Sequence, residues 1–289
     1  MRAWPLPQPD EAGDKEARGR VLVVGGSPEL PGAVILAATA ALRAGAGKLQ
    51  IATCRSIAQM VGAAVPEARV FGLPETKAGG IGSSAVRLIA ERACESQAVL
   101  VGPGMMDEKA TVRLLKGLLP RIVGPTVVLD AGALSCLLED AKCLYPLNGC
   151  VVLTPHAGEM AMLTGIDKER IVVGPLRVAR DAARTLCAVI ALKGAETFIA
   201  APAGNKAYCN RTGNVGLATS GSGDTLSGII AGLAARGAAP VQAAAWGVYL
   251  HGRAGERLAR RVGQLGFLAR ELLAEVPRLM AEMDVRKKR

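Results

Sequence analysis

Gly221-Ser222-Gly223-Asp224 sets a single carboxylate at the head of a charge-free apolar run, residues 225–235. If that run is helical, the four residues sit at its start, where unpaired backbone N–H groups and the positive end of the helix dipole attract an anion, phosphate above all. Gly221, Ser222 and Gly223 then form an anion hole with the Asp224 N–H, and the Asp224 carboxylate faces a substrate hydroxyl as general base. An Asp at this place serves equally well as a helix N-cap. The polar stretch 210–219 ahead of it holds two glycines, where positive φ is cheap, and has the composition of a loop that wraps a ligand. A base beside an anion cradle is a layout for phosphoryl transfer.

Two other segments carry reactive side chains. Thr154-Pro155-His156-Ala157-Gly158-Glu159 either presents His156 and Glu159 to a crevice or uses Glu159 as the third residue of a capping box. Lys193-Gly194-Ala195-Glu196-Thr197 begins at a strand end, where the lysine either snorkels to water or meets a nucleotide that Gly194 lets approach the backbone. The sequence has no G-x-x-x-x-G-K-[ST] and no complete G-x-G-x-x-G, so phosphates must be held by something other than a P-loop or a dinucleotide fingerprint.

The elements that position these groups follow from the apolar runs. Residues 20–24, 48–53, 98–101, 126–129, 150–153 and 188–192 read as strands; all but 48–53 are near-continuous runs of Val, Ile, Leu and Ala, each followed by glycine or a polar residue. Runs without alternation indicate strands covered on both faces, hence an α/β fold with a mostly parallel central sheet and helices on either side. An alanine-rich helix over 33–44 completes a first βαβ unit. Residues 197–201 and 206–209 read as an edge hairpin, and 240–262 and 265–285 as closing helices. Ligands of such sheets bind beyond the carboxyl ends of the strands, which brings the three reactive segments to one crevice. A polar lead over 1–19, a single catalytic domain over 20–285 and a basic tail over 286–289 complete the organisation.

Composition narrows the function. Glycine supplies 35 of 289 residues, well above the usual ~7 %, while aromatic residues are only 3 %, which argues against base-stacking platforms for nucleic acid. The net charge of +10 is scattered or in the tail and suits an anionic nucleotide substrate better than a nucleic acid. Seven cysteines without a C-x-x-C, beside only two histidines, read as reduced, mostly buried residues of a cytoplasmic protein with no structural zinc. The longest uncharged stretch near the C-terminus, 237–252, is too short to span a bilayer.

Taken in order, residues 22–47, Gly102-Pro103-Gly104, Val128-Leu129-Asp130, Leu153 through Glu159, Leu192-Lys193-Gly194 and residues 210–228 resemble the ADP/ATP-dependent NAD(P)H-hydrate dehydratases, a branch of the ribokinase-like superfamily. The resemblance covers nearly the whole chain. It implies dehydration of the hydrated, damaged form of NADH or NADPH back to the working cofactor, driven by ADP or ATP. By the same resemblance Asp224 is the base and a substrate contact; Lys193, Gly194, Ala195, Glu196, Thr197 and Gly223 bind nucleotide; Ala33, Gly104 and His156 touch the hydrate; and Glu159 orients metal-bound water, with Mg²⁺ on the phosphates. It further implies a homotetramer working beside a separate epimerase. Two positions depart from the family pattern. Asp130-Ala131-Gly132 lacks the second carboxylate of the usual D-A-D, and Ser220 stands where a glycine usually precedes Gly221. A small-molecule kinase of the same superfamily shares fold and base, and a non-catalytic nucleotide-binding protein is the alternative outside enzymes.

Overall fold

The computed structural model describes residues 4–8, 14–204 and 206–283. Among them, nine strands form one mixed sheet: β1 (Arg20–Val24), β2 (Lys48–Cys54), β3 (Ala68–Leu73), β4 (Ala98–Val101), β5 (Thr126–Leu129), β6 (Val151–Leu153), β7 (Val189–Leu192), β8 (Thr197–Ala200) and β9 (Ala207–Asn210). Their order is β3-β2-β1-β4-β5-β6-β7-β8-β9. Strands β1 to β7 pair in parallel, and β8 and β9 add the expected antiparallel hairpin at the edge. Every residue of β4 and β7 is buried, as branched side chains covered on both faces require.

Eleven α-helices are described: α1 (Pro31–Arg43), α2 (Ala58–Ala64), α3 (Val86–Cys94), α4 (Glu108–Leu118), α5 (Cys136–Glu139), α6 (Ala157–Thr164), α7 (Lys168–Val173), α8 (Pro175–Leu186), α9 (Ser222–Ala235), α10 (Pro240–Arg261) and α11 (Ala269–Met283). Pro31 starts α1 two residues before the expected Ala33, because a proline at the first helical position has its φ already set and loses no hydrogen bond. The final helix starts at Ala269 and not at 265, after Gly266 at φ +96. Its expected end at 285, the basic tail and part of the N-terminal lead lie outside the described residues.

The direction of strand order changes between β1 and β4, so the loops following these two strands flank a crevice. They interlock there, with the Gly26 N–H donating to the Pro103 carbonyl at 2.7 Å.

Two further features support the site from below. Helix α1 lies against α9 so closely that a Cβ on Gly228 would sit 2.1 Å from the Ala37 carbonyl oxygen, and one on Gly232 2.3 Å from that of Ala41. One alanine face of α1 is thus packed inside the chain, Ala37, Ala40 and Ala41 being fully buried. Alanine is the better helix former by about 1 kcal/mol, yet Gly228→Ala is expected to destabilise the protein by ~2 kcal/mol, because the two backbones must part to admit a methyl group. Urea denaturation measures this, and an unchanged midpoint would contradict the contact.

The chain start is held down as well. The carbonyls of Trp4, Pro5 and Pro7 accept from Trp246 Nε1 (2.8 Å), Gln242 Nε2 (2.8 Å) and Arg236 Nη2 (2.9 Å), while the Trp4 ring stacks on Tyr208 of β9 at 5.5 Å. Residues 4–8 are therefore a docked strap within the polar lead.

Of the seven cysteines, all unpaired, only Cys54 and Cys136 are buried and Cys94, Cys150 and Cys209 are exposed, which corrects the reading of a mostly buried set. Cys94 ends α3, Cys150 precedes β6 and Cys209 lies on the edge strand β9, places where a small residue need not face the core.

Candidate active site

Strand ends bring the first groups together. β5 delivers Asp130, which is 2 % exposed and whose Oδ1 accepts from Thr154 Oγ1 at 2.7 Å and from Lys193 Nζ at 3.2 Å. Lys193 leaves β7 with its N–H bonded to the Pro155 carbonyl, and its ammonium lies 3.9 Å from Glu159 Oε2. Burial pulls the amine toward neutrality, but the Asp130 and Glu159 carboxylates outweigh it and hold the group above its ordinary value. The lysine does not snorkel; it is the cation of a carboxylate cluster. Asp130 was not among the expected site residues. Its signal was its place, an acid immediately after an apolar strand.

The start of α9 supplies the cradle. Gly221 is the N-cap residue at φ +83, a conformation that favours glycine, and a Cβ there would also have to displace Leu36 Cδ1, 2.5 Å away. No side chain caps this helix. Asp224 lies within the first turn, which removes the N-cap alternative. The expected anion hole is smaller than read: the Ser222 N–H turns back to the Thr219 carbonyl at 3.2 Å, since the tight turn at Gly221 puts that acceptor within reach. The Gly223 and Asp224 N–H groups have no backbone acceptor among the described residues. A Cβ on Gly223 would lie 3.6 Å from Lys193 Nζ, so the cradle opens beside a fixed positive charge.

Asp224 is half-buried. Burial, with the Asp130 charge adding to it, pushes its carboxyl up to about 6, against the pull of Lys193 and of its own backbone N–H. A carboxylate that ionises near 6 is a usable base at neutral pH. Turnover is expected to rise with pH through about 6 as Asp224 loses its proton, and the midpoint is expected to move down in Asp130→Asn, where one of the raising charges is gone. A pH profile of kcat measures both, and a flat profile between 5 and 7 would count against Asp224 as base.

His156 and Glu159 are joined in the capping box of α6. His156 Nδ1 accepts from the Gly158 and Glu159 N–H groups at 3.0 and 3.1 Å, and Glu159 Oε2 accepts from the His156 N–H at 2.7 Å. Both readings of the motif are therefore partly realised. The pair caps a helix, and that cap holds the Glu159 carboxylate within reach of Lys193. No cluster of three or more His, Cys, Asp or Glu among the described residues is placed to hold a metal ion.

The start of α6 borders two cavities of about 430 Å³ each. One is walled by Lys193, Gly194, Ala195 and Glu196 together with Ala157, Phe198 and the segment 171–175; Thr197 is buried on β8 and is not part of its lining. The other lies against His156, Glu159, Met105 and Gly132. At Gly132 a Cβ would stand 2.3 Å from the Met105 carbonyl oxygen, so this backbone has no room for a side chain there. Ala33 and Gly104 meet each other across the β1 and β4 loops, a Cβ on Gly104 lying 3.1 Å from that of Ala33, and both are buried. The candidate residues from the three motifs thus converge, with Asp224, Gly223, Lys193, Glu159 and Asp130 at the centre.

Comparison with known proteins agrees with this geometry. The family model described as NAD(P)H-hydrate dehydratase matches residues 21–278. An ADP-dependent (S)-NAD(P)H-hydrate dehydratase of Xanthomonas campestris is 50 % identical over 282 residues, 97 % of this chain and 93 % of the relative. A ribokinase-like superfamily protein of Enterococcus faecalis superposes with a TM-score of 0.83 at 28 % identity, over 96 % of this chain and 92 % of the other. The ADP/ATP-dependent NAD(P)H-hydrate dehydratase of Bacillus subtilis, co-crystallised with ATP/Mg²⁺, superposes with a TM-score of 0.79 at 31 % identity, over 98 % and 96 % of the two chains. With a ribokinase-like fold, a model match across most of its length and a relative identical at half the aligned positions, this chain belongs to the NAD(P)H-hydrate dehydratase family.

Proposed function

We propose that the protein uses ADP or ATP to dehydrate hydrated NADH or NADPH to the working cofactor. One observation carries the reading: the Asp224 carboxylate, raised to about 6, stands at the first turn of α9 beside the open Gly223 N–H and the Lys193 ammonium. Asp224 takes the proton of the hydrate's hydroxyl as its oxygen bonds to the terminal phosphorus of the nucleotide, and the phosphorus–oxygen bond to the rest of the nucleotide breaks. The Gly223 and Asp224 N–H groups and Lys193 hold the charge on the moving group. Phosphate then departs with the carbon–oxygen bond pair, a proton leaves the neighbouring carbon, and the ring double bond returns. The cavity beside residues 193–196 suits the nucleotide, and the crevice between the β1 and β4 loops suits the hydrate, with Ala33, Gly104 and His156 on its side.

Magnesium fits this site as a passenger on the nucleotide. The ion keeps most of its waters and needs few protein ligands. The second oxygen of Glu159, Oε1, is the group that would reach it through water, and the ion would supply charge neutralisation on the phosphates. We further place the protein in the cytoplasm, which its unpaired cysteines favour, as a homotetramer supplied by an epimerase on a separate chain. No described helix is long and apolar enough to cross a membrane.

The test is incubation of the purified protein with ADP or ATP and hydrated NADH. Return of the dihydronicotinamide absorbance with release of inorganic phosphate supports the proposal. A stable phosphorylated alcohol without that return would assign the chain to the small-molecule kinases.

A further inference from the structure

Beneath the cradle lies a polar pair that the proposed chemistry leaves unused. His251, in the middle of α10, is 8 % exposed, and its Nε2 is 3.0 Å from Oγ of Ser222, itself 4 % exposed. Burial, opposed by a hydrogen bond to the Ser222 backbone and reinforced by the Lys193 charge, pushes the ring down to about 4, so it is uncharged at neutral pH. A neutral imidazole forms one hydrogen bond with a hydroxyl in either tautomer.

The surroundings argue that this bond gives direction more than stability. The α9–α10 contact is otherwise a close apolar one, with Gly247 against Ile230, and burying two polar side chains there is justified only by their pairing. Ser222 stands between Gly221 and Gly223, neither of which has a side chain to fix the turn, and glycine is the most permissive residue in the backbone. Of these three residues only Ser222 has a side chain to anchor the turn to a neighbouring helix; Thr225 Oγ1, on α9 itself, donates to the Gly221 carbonyl at 3.0 Å. The same helix α10 also braces the loop ahead of the cradle, through Thr212 Oγ1 on the Tyr249 carbonyl at 3.4 Å and Glu256 Oε1 on the Gly213 N–H at 3.1 Å.

We propose that His251 is a positioning residue for the anion cradle: through Ser222 Oγ it fixes the direction in which the Gly223 and Asp224 N–H groups point, and hence the seat of the terminal phosphoryl group. The inference rests on the function proposed above for that site. A displacement of about 1 Å in such a seat costs on the order of 10²-fold in rate.

The test compares His251→Leu, His251→Gln, Ser222→Ala and the double variant His251→Leu/Ser222→Ala, reading kcat for hydrate dehydration and the affinities of ADP and adenosine by calorimetry. His251→Leu is expected to lower kcat by about 10- to 100-fold and to weaken ADP about tenfold with adenosine unchanged. His251→Gln, whose amide can bond the same hydroxyl, is expected to recover most of both. The double variant is expected to be no worse than His251→Leu, because both changes delete one bond. Wild-type kcat and ADP affinity in His251→Leu would overturn the proposal, as would equal loss of adenosine binding, failure of a folded His251→Gln to recover, or additive losses in the double variant. If His251→Leu does not fold, the smaller change Ser222→Ala decides by the same criteria. The ratio of ADP to adenosine affinity needs no hydrate. A wild-type protein inactive on hydrated NADH would therefore remove the proposed function, while an ADP-selective loss in the variants would still support the positioning role.

Discussion

Asp224→Asn is expected to lower turnover by a factor on the order of 10² or more while nucleotide affinity stays within a few-fold, because the amide keeps the shape of the cradle and cannot take a proton. The same change is expected to make the protein more stable at pH 7. The folded-state value of about 6 lies above the ordinary 3.8, so the native protein holds this proton more tightly than the unfolded chain does. Between about pH 4 and pH 6 stability falls as pH rises, and above pH 6 the folded protein carries the whole cost, on the order of 3 kcal/mol for a shift of that size. Asparagine removes that cost at pH 7 and changes nothing below pH 4, where both states are protonated. Single-turnover kinetics and thermal melts at the two pH values measure the pair of effects. Undiminished turnover would take Asp224 out of the chemistry, and a lower melting temperature at pH 7 would show that its charge is compensated in the fold.

Lys193→Met is expected to damage fold and function together. It leaves Asp130 buried with Thr154 alone as partner, and an uncompensated buried charge costs about 3–5 kcal/mol. It also withdraws the cation beside Gly223, so ADP affinity is expected to fall at least tenfold, the order of one charge-assisted contact. Adding Asp130→Asn is expected to restore the melting temperature without restoring ADP binding. Calorimetry and denaturation on the single and double variants separate the two roles. If the double variant recovers both, Lys193 serves only to neutralise Asp130.

The sequence was most readable where one physical demand acts alone. Strands covered on both faces must be continuously apolar, so β1, β4 and β5 were read to the residue. The helix start at Gly221 was readable because a carboxylate and two glycines ahead of an apolar run have few other uses. β3 escaped notice: at the sheet edge, Ala68–Leu73 buries only Leu73 fully and includes an arginine and a glycine, so neither a continuous nor an alternating pattern emerges. At the site, one-dimensional spacing could not show which side chains meet. Asp130 and Lys193 are 63 residues apart and meet across the ends of β5 and β7, with β6 between them, and Ser222 and His251 meet across two helices that pack side by side. Capping logic did offer Glu159 as the third residue of a capping box, because a capping box is local; what it could not give was His156 as the cap or the lysine to which the cap presents the glutamate.

The strap at the chain start has a consequence for how the molecule is made. Its carbonyls wait for donors 229 to 242 residues downstream, at the C-cap of α9 and on α10. Residues 4–8 are synthesised well before these partners, so they are seated only after the intervening polypeptide has emerged. Closing so long a loop is entropically slow to begin but adds little cost per extra residue. Seating of the strap therefore waits for α10, and a nascent chain halted before residue 236 would lack all three of these hydrogen-bond donors.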